Sequence, residues 1–278
     1  MFSGAKNGRI PLLGTTMDYV SFGNGKRALV LIPGLGDGLK TVRGMALPVS
    51  VMYRDFAREY RVYVFSRKNQ MEPGCSTENM AADVKAAMDV LGIEKADMVG
   101  VSLGGMIAQQ FAADYPETIG KLVLAVTASR ANEHLGRTIP RWVEMAEQGA
   151  YRELMTDTVR SMYSDEYIRK NRWMLPIIGR FGKPASYARF IAMAQACIRH
   201  DCHERLHLIK ADTLVIGGEK DQVVGGQASR ELAEGIPGSR LVMYPQYGHA
   251  VYEEAKDFNQ TVLNFLTRQI RPCSAAEI

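Results

Sequence analysis

A serine between glycines lies near the middle of this chain, in the segment Val99-Gly100-Val101-Ser102-Leu103-Gly104-Gly105. An apolar run begins at residue 96, and a helical pattern follows over residues 106–113. Strand, sharp turn and helix are therefore predicted, with Ser102 on the turn. Glycine suits the flanking positions because a tight turn brings neighbouring backbone too close for a Cβ atom. The pattern G-x-S-x-G is typical of a turn that exposes a serine hydroxyl, although a glycine-rich turn with an idle serine has the same letters.

The composition is that of a folded protein with a full core. The chain has 278 residues, of which 46% are hydrophobic, and a net charge of +4. That length fits one α/β domain or two smaller domains. The charge is too small, and the Lys and Arg residues too dispersed, to predict a nucleic-acid partner. No apolar run approaches the roughly 20 residues that span a bilayer, and no secretory pattern opens the chain. The four cysteines are scattered, so we expect reduced thiols in a cytoplasmic protein without a membrane partner.

Short apolar strands alternate with helical patterns along most of the chain. The predicted strands are residues 17–22, 28–32, 61–65, 96–99, 121–126, 212–218 and 240–244. The predicted helices are residues 51–59, 78–91 with Thr77 as N-cap, 106–113, 226–234 and 253–268. Such alternation indicates βαβ units and a mainly parallel sheet, which is an α/β fold. The tail, residues 271–278, is expected to be frayed.

The alternation stops between residues 130 and 206, where prolines such as Pro140 and several glycines interrupt the helical patterns. We predict an inserted helical cap there, within a core formed by residues 1–129 and 207–278. The insert, residues 130–206, contains both tryptophans and many methionines. Most of these side chains are expected in its own core, although such surfaces also suit irregular apolar ligands. The insert carries the whole positive excess of the chain, which indicates a mild preference for uncharged or anionic ligands.

Two later residues could activate Ser102. A serine hydroxyl is a weak nucleophile that needs a base, and the base needs an acid to orient it. Asp221 and His249 each follow a predicted strand, so both lie at the sheet edge where Ser102 is expected. His249 would take the hydroxyl proton while Asp221 fixes its tautomer, in the chain order Ser, Asp, His. Taken singly, His249 is as well explained as a structural loop histidine, and Asp221 as a capping or turn residue.

Backbone N–H groups near Ser102 could bind the oxyanion of an acyl-transfer reaction. The N–H of Leu103 directly follows the serine, and the glycine-rich loop 33–38 would supply a second donor at Leu35. The plain alternative is that loop 33–38 only connects two elements. A substrate is expected to contact large apolar side chains of the insert and one residue near His249. The residues predicted for this role are Trp142, Met145, Met162, Trp173 and Tyr252.

The segments quoted so far resemble the α/β-hydrolase superfamily over residues of about 10 to 268. The resemblance is carried by Ile32-Pro33-Gly34-Leu35-Gly36, Gly100-Val101-Ser102-Leu103-Gly104-Gly105, Gly218-Glu219-Lys220-Asp221 and Gly248-His249. Capped esterases, enol-lactonases and cofactor-free haloperoxidases are closest in pattern, and the chain also resembles serine esterases that open macrolide rings. The resemblance implies that the insert is a lid over the active site.

Two segments depart from the family pattern. Pro33-Gly34 stands where the family commonly has His-Gly, so no imidazole polarises that side of the expected site. Residues 66–76 replace the usual Asp-x-Arg-Gly-x-Gly-x-Ser loop. This second difference weakens the transfer of any one subfamily's substrate to this chain.

The sequence therefore predicts a serine hydrolase that cleaves a carboxylic ester or lactone through an acyl-enzyme, without metal or organic cofactor. Its partner would be a small-molecule ester or lactone, and a bulky macrolactone would suit an aromatic, Met-rich lid. The alternatives are a cofactor-free haloperoxidase or perhydrolase, and a ligand receptor that keeps the triad. The same triad also serves C–C and amide hydrolysis. A cluster of possible metal ligands lacks a zinc signature, and chance clustering is favoured for Cys197, His200, Cys202, His203 and His207.

Overall fold

One sheet runs through the protein. The computed structural model describes residues 4–268, and its strands are β1 (Lys6–Leu12), β2 (Thr15–Phe22), β3 (Arg27–Ile32), β4 (Tyr60–Lys68), β5 (Ala96–Val101), β6 (Ile119–Ala125), β7 (Asp212–Gly218) and β8 (Arg240–Tyr244). These eight strands lie in the order β1-β2-β4-β3-β5-β6-β7-β8. The pairs β1–β2 and β2–β4 are antiparallel, and all other pairs are parallel. The predicted α/β fold with a mainly parallel sheet is confirmed.

Helices cover both faces of the sheet. They are α1 (Ala46–Met52), α2 (Thr77–Val90), α3 (Leu103–Asp114), α4 (Glu133–Glu147), α5 (Tyr151–Met162), α6 (Asp165–Lys170), α7 (Ala188–Arg199), α8 (Gly226–Gly235), α9 (Val251–Glu254) and α10 (Phe258–Thr267). In β3, Val30 and Ile32 join the hydrophobic cluster beneath α2 and α3, while Leu29 and Leu31 join the cluster that includes α10. Successive strand side chains point to opposite faces, so a strand covered on both faces is apolar throughout.

The insert consists of helices. Between β6 and β7 the structure has α4 to α7, and residues 130–206 contain only an isolated bridge between Arg130 and Asp201 in place of any strand. Pro140 was expected to interrupt the helical pattern, but it lies inside α4. Proline frees the carbonyl four residues earlier, and here that residue, Gly136, is exposed like Pro140 itself. Water can therefore satisfy the freed carbonyl, and the helix continues.

One strand was not predicted, and two local predictions were wrong. Strand β1 was missed because Pro11 and Gly8 obscure the pattern, although an edge strand tolerates proline. The helix expected over residues 51–59 is α1, which ends at Met52 and is followed by a 3-10 turn. The N-cap of α2 is Ser76 instead of Thr77, because Ser76 and Asn79 form a reciprocal capping box.

The last predicted helix is divided in two. Helix α9 ends at Glu254, and α10 begins at Phe258 after a turn. The frayed tail predicted for residues 271–278 lies outside the described residues, as does Cys273. Cys75, Cys197 and Cys202 are buried free thiols. Within residues 4–268, no helix is both long and apolar enough to cross a membrane.

Candidate active site

Ser102 occupies a strained turn between strand and helix. β5 ends at Val101 and α3 begins at Leu103, so Ser102 alone connects them. Its φ of 54° and ψ of −121° lie in a region that residues other than glycine rarely adopt. The start of α3 lies close against the end of β3 because Gly104 has no side chain, and a Cβ there would overlap the carbonyl of Ile32. The predicted strand, turn and helix are all present, and such strain is commonly stored where a residue has a function.

His249 joins Ser102 to Asp221 by two hydrogen bonds. His249 Nε2 lies 3.0 Å from Ser102 Oγ, and His249 Nδ1 lies 2.8 Å from Asp221 Oδ2. Because a carboxylate can only accept, the Nδ1 of a neutral imidazole carries the proton and Nε2 presents a lone pair to the hydroxyl. The arrangement can therefore take the Ser102 proton as its oxygen attacks a carbonyl carbon.

Asp221 also holds its own turn. Its Oδ1 accepts hydrogen bonds from the backbone N–H groups of Val223 at 2.8 Å and Val224 at 3.0 Å. Its Oδ2 is left for His249, and the side chains of Asp221 and His249 are 2% and 3% exposed. From the sequence, Asp221 was either a turn residue or the acid that orients His249. Because its two carboxylate oxygens have different partners, Asp221 has both roles. A fixed carboxylate holds the imidazole in one orientation.

Loop 33–38 lies against the serine. Its 3-10 turn begins at Leu35, and a Cβ on Gly34 would lie 3.2 Å from Ser102 Cβ. In the described chain, neither the N–H of Leu35 nor that of Leu103 donates a hydrogen bond within the protein. Both residues open a helical segment, whose first N–H groups lack intrahelical partners. Two unpaired donors next to Ser102 can stabilise a developing oxyanion.

An ionic cluster supports loop 33–38 from the insert. Asp37 Oδ2 accepts a hydrogen bond from the backbone N–H of Arg67 at 2.8 Å. It also forms an ion pair with the guanidinium of Arg189 in α7. Arg189 donates further to the carbonyls of Asp37, Arg67 and Lys68, so one side chain joins the insert, the loop and the end of β4. Burial lowers the pKa of Arg67 to about 10. Sequence reasoning missed this cluster, because nothing in the sequence pairs Arg189 with Asp37.

Ser102 and His249 line a cavity of about 360 Å³ with mostly apolar walls. The insert contributes Trp142, Met155, Thr158, Met162 and Phe190. Much of the remaining wall is aromatic and comes from Tyr53, Phe56, Tyr252 and Phe258. Within residues 4–268, the carboxylates on the wall are Asp37 and Glu253, and no Lys or Arg lines it. The cavity suits an apolar molecule with a carbonyl at Ser102.

A family profile described as "alpha/beta hydrolase fold" matches residues 27–256. The chain belongs to this family. It is 30% identical over 266 residues to the 2-hydroxy-6-oxo-6-phenylhexa-2,4-dienoate hydrolase of Comamonas testosteroni, covering 90% of this chain and 91% of that protein. The similarity to this relative covers more of the chain than the family profile does.

Two solved structures are similar to this hydrolase in fold. MGS-M2, an alpha/beta hydrolase enzyme from a Medee basin deep-sea metagenome library, superposes with a TM-score of 0.85 at 23% identity, covering 96% of this chain and 100% of that one. The enol-lactonase from Burkholderia xenovorans LB400 gives a TM-score of 0.79 at 22% identity, covering 94% and 100%. At this identity the likeness shows the fold alone.

The structure divides the residues predicted to contact substrate in this hydrolase. Trp142, Met162 and Tyr252 line the cavity, and the Trp142 indole is held by a 2.7 Å hydrogen bond to Asp157. Met145 does not line it, because it packs against the hydrophobic core from the same helix as Trp142. Trp173 is 65% exposed and also lies outside the cavity. Helical spacing identified the insert as apolar but could not tell which turn of each helix faces Ser102.

Two further expectations concern the charge of the insert and the Cys and His residues near position 200. The basic residues of the insert do not line the cavity, so the expected mild preference for uncharged or anionic ligands loses the basis of its anionic half. The Cys and His residues near 200 take separate partners. His200 Nδ1 lies 2.9 Å from Thr77 Oγ1, His203 Nδ1 lies 3.1 Å from Ser129 Oγ, and burial raises the pKa values of Cys197 and Cys202 to about 12. Within residues 4–268, no three such side chains converge as metal ligands would.

Proposed function

We propose that this hydrolase cleaves a carboxylic ester or lactone through an acyl-enzyme on Ser102. The observation that carries the proposal is the hydrogen-bond chain from Ser102 Oγ through His249 to Asp221, which ends in an apolar cavity. A serine, an acceptor nitrogen and an orienting carboxylate at these distances are the parts that nucleophilic acyl transfer requires.

The reaction proceeds in two halves. Ser102 Oγ bonds to the substrate carbonyl carbon while His249 Nε2 takes the hydroxyl proton, and the N–H groups of Leu35 and Leu103 stabilise the oxyanion. Collapse breaks the C–O bond, and His249 returns the proton to the leaving alkoxide. Water then attacks the acyl-enzyme, His249 accepts its proton, and the acid is released as Ser102 regains the proton. Asp221 keeps the imidazole oriented and stabilises its charged form in both halves.

The charge on the cavity wall favours an ester or lactone over an anionic acyl compound. The Comamonas relative is named for a dienoate, and a carboxylate is ionised near neutral pH. A site for such a substrate needs a cation or several hydrogen-bond donors, because a desolvated carboxylate is costly without them. Here no Lys or Arg of residues 4–268 lines the cavity, while Glu253 does and Asp37 is already paired with Arg189. An acyl group without negative charge therefore fits better.

The cavity volume bears on substrate size. At about 360 Å³ the cavity lies near the lower end of the range of about 300–1,000 Å³ typical of small-molecule sites. This volume supports a small or medium-sized ester or lactone over a bulky macrolactone. Incubation with a panel of short esters, lactones and macrolides, followed by mass spectrometry, checks this choice. Ring opening adds the mass of one water without loss of a fragment, whereas an acyclic ester gives two products.

The Ser102→Ala variant tests the mechanism. It should lose at least about 10⁴-fold in kcat/KM and all labelling by a fluorophosphonate probe, because no other group can form the acyl-enzyme. Ser129→Ala is the matched control, since it removes a serine hydroxyl 3.1 Å from a histidine outside the cavity. Full activity of Ser102→Ala would overturn the proposal. Turnover of peroxide and bromide without ester hydrolysis would indicate a perhydrolase, and ligand binding without labelling would indicate a receptor.

A further inference from the structure

The two carboxylates on the cavity wall differ in how they are neutralised. Asp37 is 5% exposed and pairs with the Arg189 guanidinium, so its charge is already compensated. Glu253 is exposed and accepts a hydrogen bond from the Tyr163 hydroxyl of the insert. None of the ion pairs formed within residues 4–268 includes Glu253. Glu253 therefore gives the rim of the cavity an uncompensated negative charge.

Aromatic rings share the cavity wall with this carboxylate. Tyr252 packs edge-on against Phe258 with ring centroids 6.5 Å apart, and Tyr53 lies 6.3 Å from Phe56. All four rings line the cavity. Burial, followed by the charge of Glu253, raises the pKa of Tyr53 to about 12, and the same two causes raise that of Tyr252 well above its ordinary value. Both phenols are therefore neutral near pH 7, and the charge of Glu253 is near enough to both rings to contribute to their raised pKa values.

Rings and carboxylate together form a site for a cation. A ring face attracts a positive charge through its quadrupole, and a carboxylate within the same wall adds an ion pair. Anions are disfavoured, because no Lys or Arg of residues 4–268 lines the cavity. This local charge opposes that of the whole chain, which is +4. The rim of the cavity is thus acidic on a basic protein.

We propose that the hydrolase prefers esters that carry an ammonium group, with Glu253 as counter-ion and the rings of Tyr53 and Tyr252 around the cation. The inference rests on the proposed function, because Ser102 and these residues line one cavity. The ammonium group lies at the rim while the ester carbonyl is at Ser102. Glu253 is a specificity-determining residue in this scheme and takes no part in bond breaking.

Two esters of the same shape provide the test. Choline butyrate has a cationic nitrogen at the position where 3,3-dimethylbutyl butyrate has a neutral carbon. The wild-type kcat/KM for the choline ester should exceed that for the neutral ester by about fivefold or more, as expected for one cation–π and ion-pair contact at a partly exposed site. The ratio should fall as salt is added, because exposed charges are screened.

Variants locate the preference. Glu253→Gln keeps an oxygen for the Tyr163 hydroxyl and removes the charge, so the ratio of the two kcat/KM values should fall clearly below that of the wild type, to the part that the rings and the leaving group contribute. Asp257→Asn is the matched control, since it removes an exposed negative charge nearby that does not line the cavity. It should leave both rates unchanged. A wild-type ratio near one, or a ratio that Glu253→Gln does not change, would overturn the inference.

Binding separates this inference from the proposed function. The Ser102→Ala variant can bind both esters without cleaving them, so the ratio of their Kd values reports the charge preference alone. If wild-type protein hydrolyses neither ester, the proposed function fails for acyclic esters, yet a choline ester bound about fivefold more tightly still supports the cation site. Equal Kd values would contradict the cation site even where both esters are hydrolysed.

Discussion

Two of the contacts that the insert makes with the core near the site are of opposite character. At the inner contact, Arg189 of α7 pairs with Asp37 behind loop 33–38, and these side chains are 11% and 1% exposed. At the outer contact, Tyr163 and Ser164 donate hydrogen bonds to Glu253 and Glu254, close after His249. Buried charges are costly to separate, whereas the groups of the outer contact, of which Glu253 is exposed and the other three are half-buried, can exchange their partners for water. The inner contact therefore fixes loop 33–38, and the outer contact leaves the rim adjustable.

The largest expected effect comes from breaking the inner contact. Arg189→Leu removes the cation paired with Asp37 and leaves the buried carboxylate with the backbone N–H of Arg67 as its remaining hydrogen-bond donor within residues 4–268, which should lower the free energy of unfolding by about 3–5 kcal/mol. Urea denaturation monitored by circular dichroism measures the change. Arg230→Leu is the control, because it breaks a pair with Glu219 whose side chains are 41% and 35% exposed, and should cost about 1 kcal/mol or less. Equal losses in the two variants would show that burial does not distinguish these contacts.

A third contact between the insert and the core is buried like the inner contact, but it involves no ion pair. His200 ends α7 and hydrogen-bonds Thr77, and burial lowers its pKa to about 4 despite the nearby carboxylates of Glu78 and Asp201. The unfolded chain, with an ordinary histidine pKa of about 6.5, binds the proton first as the pH falls, so stability is lost between these two values. We expect a loss of about 2 kcal/mol between pH 7 and pH 5 from this group.

The variant His200→Gln checks the source of that loss. Glutamine cannot titrate, so the difference in unfolding free energy between the two pH values should shrink by the same amount. His207→Gln is the control, because His207 is exposed and should leave the difference unchanged. A pH dependence that persists in His200→Gln would assign the loss to other groups.

The geometry of the inner contact can be tested apart from its charge. Arg189→Lys keeps the cation but loses the fork that reaches Asp37 and two further carbonyls. Loop 33–38 should then hold Leu35 less well, and kcat should fall by about tenfold with little change in KM, which is less than the loss of a whole oxyanion donor. Steady-state kinetics with a short neutral ester measure both constants. A raised KM with unchanged kcat would place the effect on substrate binding instead.

The sequence was sufficient where the backbone determines the structure. Glycines around Ser102, an apolar run such as β3 and loops after β7 and β8 each have local signatures, and the structure brings Ser102, Asp221 and His249 together as expected. Because the strands are parallel, the loops after them lie at one edge of the sheet, even where the predicted strand ends are off by a residue or two. Small errors at helix ends, such as Ser76 in place of Thr77, did not move them.

The cavity wall could not be predicted in the same way. Besides residues of the strands and of loop 33–38, the wall contains residues from the insert, from the turn after α1 and from α9 and α10, whose positions depend on how helices pack. Periodicity shows that Trp142 and Met145 belong to one helix, but tertiary contacts decide that only Trp142 faces Ser102. The link between Arg189 and Asp37 spans distant parts of the chain and has no local pattern.

The smallest expected effect lies at the outer contact. Tyr163→Phe removes the hydroxyl that donates to Glu253 and keeps the ring stacked on Tyr167, whose centroid is 4.3 Å away. Stability should fall by about 1 kcal/mol or less, because water replaces the lost donor at an exposed carboxylate. The freed carboxylate should bind a cation better, so the preference for choline butyrate over its neutral counterpart should rise. Tyr167→Phe keeps the stacked pair without touching Glu253 and should change neither quantity. A large loss of stability in Tyr163→Phe alone would make the outer contact as rigid as the inner one and remove the distinction between them.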